Sequence, residues 1–361
     1  MKKTFTFRLL IAYCFVCASG NVHAAPYFDF SSRCQTAYAH TMALRLNEAQ
    51  TDVVQLKQAE PENFMALYIE NYITCVQLFI DEDYGKFQKR EGEEENNIKR
   101  LQKGNPQSPY FLYTQAQARL CWAMNRAKFG EYFSAFNEAS TAYSQLEKNR
   151  KKFPSFVPNK LSLGVLHAII GSIPDEYKWG VKLLSGMEGT VQQGQNEIEE
   201  VIEYGHTHDF AFEQEANIMY GFLMLHLKND NASAWNVVAN SKLKPKESLL
   251  GCFTLANIAM RTGKTDKAIE LLQNRPIDDR YYPMPYLDYM LGIAKMNRGD
   301  TDAGVYIHQY LAAFKGRNYI KEAWQRLGWI EALKGDESAY RACLANCKTK
   351  GYASVDRKSV V

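Results

Sequence analysis

The chain has 361 residues, of which 46% are apolar and 23% charged, a balance that supports a large folded core. The formal surplus of +3 is accounted for by Lys2, Lys3 and Arg8, so beyond the first residues basic and acidic side chains balance. A balanced chain has no bulk field to draw it onto nucleic acid or anionic lipid.

Residues 1–24 have the pattern of a signal peptide. Lys2, Lys3 and Arg8 form a basic start, and Leu9 to Ala18 is an apolar run too short to span a bilayer. Val22-His23-Ala24 places small residues at the −3 and −1 positions, which predicts cleavage after Ala24 and export. Cys14 and Cys17 follow Tyr13 and Val16, not the small residue a lipoprotein site needs. No later stretch is apolar enough to cross a membrane. The six remaining cysteines are too sparse to be a disulfide scaffold, and Cys343 and Cys347, one helical turn apart, are expected as free thiols.

Beyond residue 24 apolar residues recur at three- and four-residue intervals, which predicts helices throughout, with Pro and Gly at their boundaries. Residues 25–107 are a helical segment without a clean repeat, and Glu91 to Asn97 reads as a charged helix face. Residues 108–205 read as irregular hairpins. Trp122-Ala123, Gly130, Ala135, Ala139 and Ala142 mark one pair; Gly189, Gly194, Ile198 and Val201 mark another, with an extra helix at about 158–171 between them. His206, His208 and Asp209 could reach one metal ion, but Thr207 and Asp209 fit better as helix-start residues, so no metal or cofactor is expected.

Residues 206–350 carry the strongest signal. Gly221, Ala256, Gly292 and Gly328 are separated by 35, 36 and 36 residues. Tyr220, Leu255, Leu291 and Leu327 precede them, and Lys228, Gly263, Gly299 and Gly335 follow seven residues later. Such a period predicts stacked helical hairpins, an all-α solenoid in which each small residue lets two helices approach closely. Tyr340 stands where Ala268 stood two copies earlier, so the last pair is expected to sit wider or tilt differently. The helix at 336–350 is either a polar cap or an exposed end, followed by a tail at 351–361.

Leu255-Ala256, Leu291-Gly292 and Trp324-x2-Leu327-Gly328 resemble the first-helix signature of tetratricopeptide (TPR) repeats, from about residue 214 to 350. The chain as a whole resembles exported TPR proteins of Gram-negative bacteria. Gly164 to Gly205, through Ile173-Pro174-Asp175, Trp179 and Gly189, is similar to the tetratricopeptide repeat protein 39 family. The pattern is departed from at Ala259, Lys295 and Glu331, where a tyrosine is usual. The resemblance implies a periplasmic, extracellular or envelope-associated scaffold that holds a protein or peptide segment on a concave face. On that alignment the face includes Phe222, Asn257, Arg261, Tyr286, Tyr289, Asn297, Gln325 and Trp329. Aromatic and amide side chains suit a peptide, and also a glycan.

Gly263-Lys264-Thr265 mimics the end of a phosphate-binding loop, but Ile258 stands where its first glycine belongs, so it reads as a turn between helices. Gly-x-Ser-x-Gly, His-Glu-x-x-His and the dinucleotide fingerprint are absent from the sequence. The reading is therefore a non-enzymatic exported scaffold. A carbohydrate-binding or uptake accessory protein using the same aromatic face is the alternative, and a helical-toroid hydrolase or lyase with an acid or His206 and His208 at its centre is a third.

Overall fold

The computed structural model describes residues 25–352; the expected signal segment and residues 353–361 lie outside the described residues. Within them the fold is all-α, with seventeen α-helices and no strand beyond an isolated bridge between Tyr27 and Asn63. Four helices come first: α1 (Ser32–Met42), α2 (Leu46–Ala59), α3 (Met65–Asp81) and α4 (Tyr84–Leu101). α5 (Tyr110–Lys128) and α6 (Tyr132–Lys152) make a long hairpin, followed by α7 (Val157–Gly171), α8 (Asp175–Ser185) and α9 (Val191–Thr207). Four shorter hairpins complete the solenoid: α10 (Glu213–Leu223) with α11 (Asn231–Ala239), α12 (Leu249–Arg261) with α13 (Thr265–Gln273), α14 (Tyr286–Arg298) with α15 (Ala303–Ala313), and α16 (Ile320–Lys334) with α17 (Glu337–Thr349).

The small residues of the sequence period occupy equivalent places, each facing the second helix of its own hairpin. A methyl group at Gly221 would come within 2.7 Å of Val238, and one at Gly292 within 2.5 Å of Ile307. Ala256 is wholly buried, as is Ala268 on the second helix of that hairpin. At Gly328 the same methyl would stand 3.4 Å from Cys343 and 3.6 Å from Tyr340, an ordinary contact. The last pair thus has room for a methyl at this position, where Tyr340 replaces a small residue.

The turns repeat as well. Gly130, Gly263, Gly299 and Gly335 all adopt positive φ, between 74° and 89°, a conformation that costs glycine little. In the first regular copy the left-handed residue is Asn229, one place later than the period predicts. Met224–Lys228 form a π-helical turn, which takes up that extra residue without moving the hairpin out of step.

The middle of the chain differs from the sequence expectation. Residues 157–171 are not an added helix between two hairpins: α7 is itself the partner of α9. Gly194 lies against the Gly164 carbonyl, and a methyl there would also meet Ala168 at 2.7 Å, so the two glycines let α7 and α9 cross closely. The insertion is α8, which projects between them with no buried residue. Thr207 and Asp209 do not start a helix either; α9 runs through Thr207 and α10 begins at Glu213. In the charged α4 face, Glu94 turns inward, only 4% exposed, to meet Arg126 at 3.0 Å.

The first helices close onto the last four hairpins. Tyr38 Oη donates to Glu215 at the start of α10. Leu249 N donates to the Ala43 carbonyl (3.2 Å), Tyr282 N to the Leu44 carbonyl (2.7 Å), and Asn318 N to Glu82 Oε2 (3.0 Å). Residues 215, 249, 282 and 318 lead into successive first helices, so this seam has the period of the array. One core cluster accordingly runs from Phe28 to Ala294. At the other end, α17 buries only Cys343 and turns Glu337, Arg341 and Lys348 outward, the polar face of a capping helix. All six cysteines of the described chain are free thiols.

Candidate functional site

The first helices of the four hairpins, α10, α12, α14 and α16, stack on one another and share one face. On α12 that face carries Phe253, Asn257 and Arg261, four residues apart and so in one stripe. Across the helices the aromatic rings form a diagonal ladder. Phe222 lies 6.1 Å from Phe253, Phe253 lies 6.1 Å from Tyr286, and Tyr286 lies 5.0 Å from Tyr319. Tyr289 joins it 5.7 Å from both Tyr286 and Tyr319. His226 stacks at the other end, 6.0 Å from Phe222.

The ladder is partly covered. Phe222, Phe253, Asn257 and Tyr286 are half-buried, whereas Tyr289 is 8% exposed and belongs to the core beneath the face. Burial raises the Tyr286 hydroxyl well above its ordinary range, and raises that of Tyr289 to about 12. The rest of the sequence-derived set reaches solvent: Arg261, Asn297, Gln325 and Trp329 are exposed. Trp329 carries the Arg326 guanidinium 4.3 Å over its ring.

Two guanidinium groups lie at this face. Arg261 and Arg326 make no ion pair among the described residues, and Arg261, after burial, contributes to lowering His226. Asn257 Oδ1 is shielded from solvent and has no hydrogen-bond partner. Sequence reasoning missed Phe253, Tyr319, Arg326 and His226. Phe253 was legible as the residue four before Asn257; Tyr319 was not, because it precedes α16 in a left-handed conformation, with φ 59°.

The histidines considered for metal or catalysis do not converge. His206 is exposed beside Glu203, and His208 stacks on Tyr204 at 3.9 Å. Among the described residues no group of three or more His, Cys, Asp or Glu side chains is arranged to hold a metal ion. No helix among them is long and apolar enough to cross a membrane. Compared with known proteins, the chain matches no family model and no curated relative.

Proposed function

We propose that this protein is a non-enzymatic scaffold of TPR-like hairpins, exported to the cell envelope, that binds an extended polypeptide segment along the α10–α12–α14–α16 face. The observation that carries the reading is the half-exposed ladder of Phe222, Phe253, Tyr286 and Tyr319, flanked by two guanidinium groups without carboxylate partners. Rigid rings offer apolar contact at little entropic cost, and unpaired arginines select acidic side chains. The partner is thus a segment that alternates apolar anchors with Asp or Glu.

The rings are tilted against one another by 38° to 57° along the Phe222–Phe253–Tyr286–Tyr319 run. They offer notches for side chains more than a flat platform for a sugar, which favours peptide over glycan on this face. Selection from a displayed peptide library tests the reading. Enriched peptides should pair an aromatic or aliphatic residue with acids, and should lose binding to an Arg261→Glu, Trp329→Ala variant. Enrichment that ignores both substitutions would contradict it.

A further inference from the structure

A second site lies away from the ladder, in the groove between α3 and α4. Two cavities of about 350 and 310 Å³ adjoin there, and Arg90 lines both. Each is of the size that holds a small ligand. The first is walled by polar and charged side chains, among them Asn71, Thr74, Glu93 and Arg100, whereas Leu78 and Tyr282 help to make the second largely apolar. The first cavity therefore suits a polar ligand.

The floor is built, not incidental. Asn71 is 5% exposed and lines the first cavity. Trp122 Nε1 donates to its Oδ1 at 2.9 Å, which fixes the orientation of the amide. Its Nδ2 is left as a donor without a partner among the described residues, at the cavity wall. Thr74, 6% exposed, accepts from Arg90 Nη2 at 3.0 Å and retains its own hydroxyl proton.

The charges define the ligand further. Lys89 and Arg100 line the groove on either side of Arg90 and make no ion pair among the described residues. The carboxylates are already engaged: Glu70 holds Lys57 at 2.5 Å, Asp81 holds Lys86 at 2.7 Å, and Glu93 holds Arg90 at 3.0 Å. Glu70 and Glu93 still carry lone pairs for a ligand's hydroxyl groups. They also repel a compact dianion such as phosphate.

We propose that the α3–α4 groove binds a small polyhydroxylated acid of the uronic class, with its carboxylate on Arg90 and Arg100 and its hydroxyls on Asn71, Thr74 and Glu93. The site is independent of the peptide face. Calorimetric titration of the chain with galacturonate, galactose and inorganic phosphate tests it. Galacturonate should saturate one site. Loss of charge-assisted hydrogen bonds should make galactose, or galacturonate on Arg100→Gln, weaker by about tenfold or more. Arg100 is exposed, so that variant should keep the native circular dichroism spectrum; Arg90→Gln gives a second reading at the shared wall. The proposal is overturned by phosphate binding as tightly as galacturonate, or by galacturonate affinity that neither substitution changes. Absence of saturable binding up to about 10 mM, the range of a very weak ligand, overturns it as well.

Discussion

Replacing Gly292 and Gly328 separately by alanine sets two chemically identical changes against two different environments. In α14 the new methyl would lie 2.5 Å from Ile307 Cγ1, 3.1 Å from the Ala303 carbonyl and 3.2 Å from the Ile307 amide. Two of these neighbours are backbone, so no rotamer change relieves the contact and α15 must shift. Overpacking of this kind costs about 1–3 kcal/mol, offset by about 1 kcal/mol of improved helix propensity. The net expectation is a loss of about 0–2 kcal/mol. At Gly328 the nearest atom is 3.4 Å away, so only the propensity term remains and the chain gains about 0.5–1 kcal/mol. Urea unfolding followed by circular dichroism should give midpoints on opposite sides of the native one. Native-state hydrogen exchange should place the weakened amides in α14 and α15, since repeat stability is largely a local sum. Equal midpoints for the two variants, or a gain at Gly292, would refute close hairpin packing as the basis of the period.

Further outcomes follow from the same geometry. Tyr38→Phe removes the hydroxyl that Glu215 accepts and leaves that carboxyl buried, so stability should fall by about 1–3 kcal/mol, with faster proteolysis between the first helices and the array. Burial, with Glu138 nearby, raises the Glu94 carboxyl to about 7, against the pull of Arg126. A raised acid binds more protons when folded, so its protonation stabilises the fold most at low pH, and this contribution is lost as pH rises from about 4.5 to 7. Across that window the unfolding midpoint of Glu94→Gln should fall less than that of the native chain. Tyr289→Ala should cost about 3–5 kcal/mol because its ring is in the core, whereas Trp329→Ala should leave stability within about 1 kcal/mol and act on binding alone.

The array was legible because packing makes the same demand repeatedly. Gly221 and Gly292 stand where even a methyl would push two helices apart, Ala256 is wholly buried at the same place in its hairpin, and Gly328 keeps the period although a methyl would fit there. The α7–α9 pair was misread because α8 separates the helices in sequence and its own amphipathic pattern gives no sign that none of its residues is fully buried. The seam of the first helices against the array was hidden for a different reason. Two of its bonds use backbone carbonyls at Ala43 and Leu44, and composition and periodicity do not report backbone acceptors. The binding face was half legible: helical phase placed Phe222, Asn257 and Tyr286 on it, but could not tell that Tyr289 sinks below while Tyr319 enters from a turn.

The central claim is that the stacked first helices present the working surface. Site-specific photo-crosslinking within the cell envelope tests it most directly, with the crosslinker placed in turn at Asn257 on α12 and at the exposed Glu270 on α13, the second helix of the same hairpin. The account predicts a discrete polypeptide adduct from position 257 that weakens with Arg261→Glu, and none from position 270. Adducts from position 270 alone, or the same adducts from both, would contradict it.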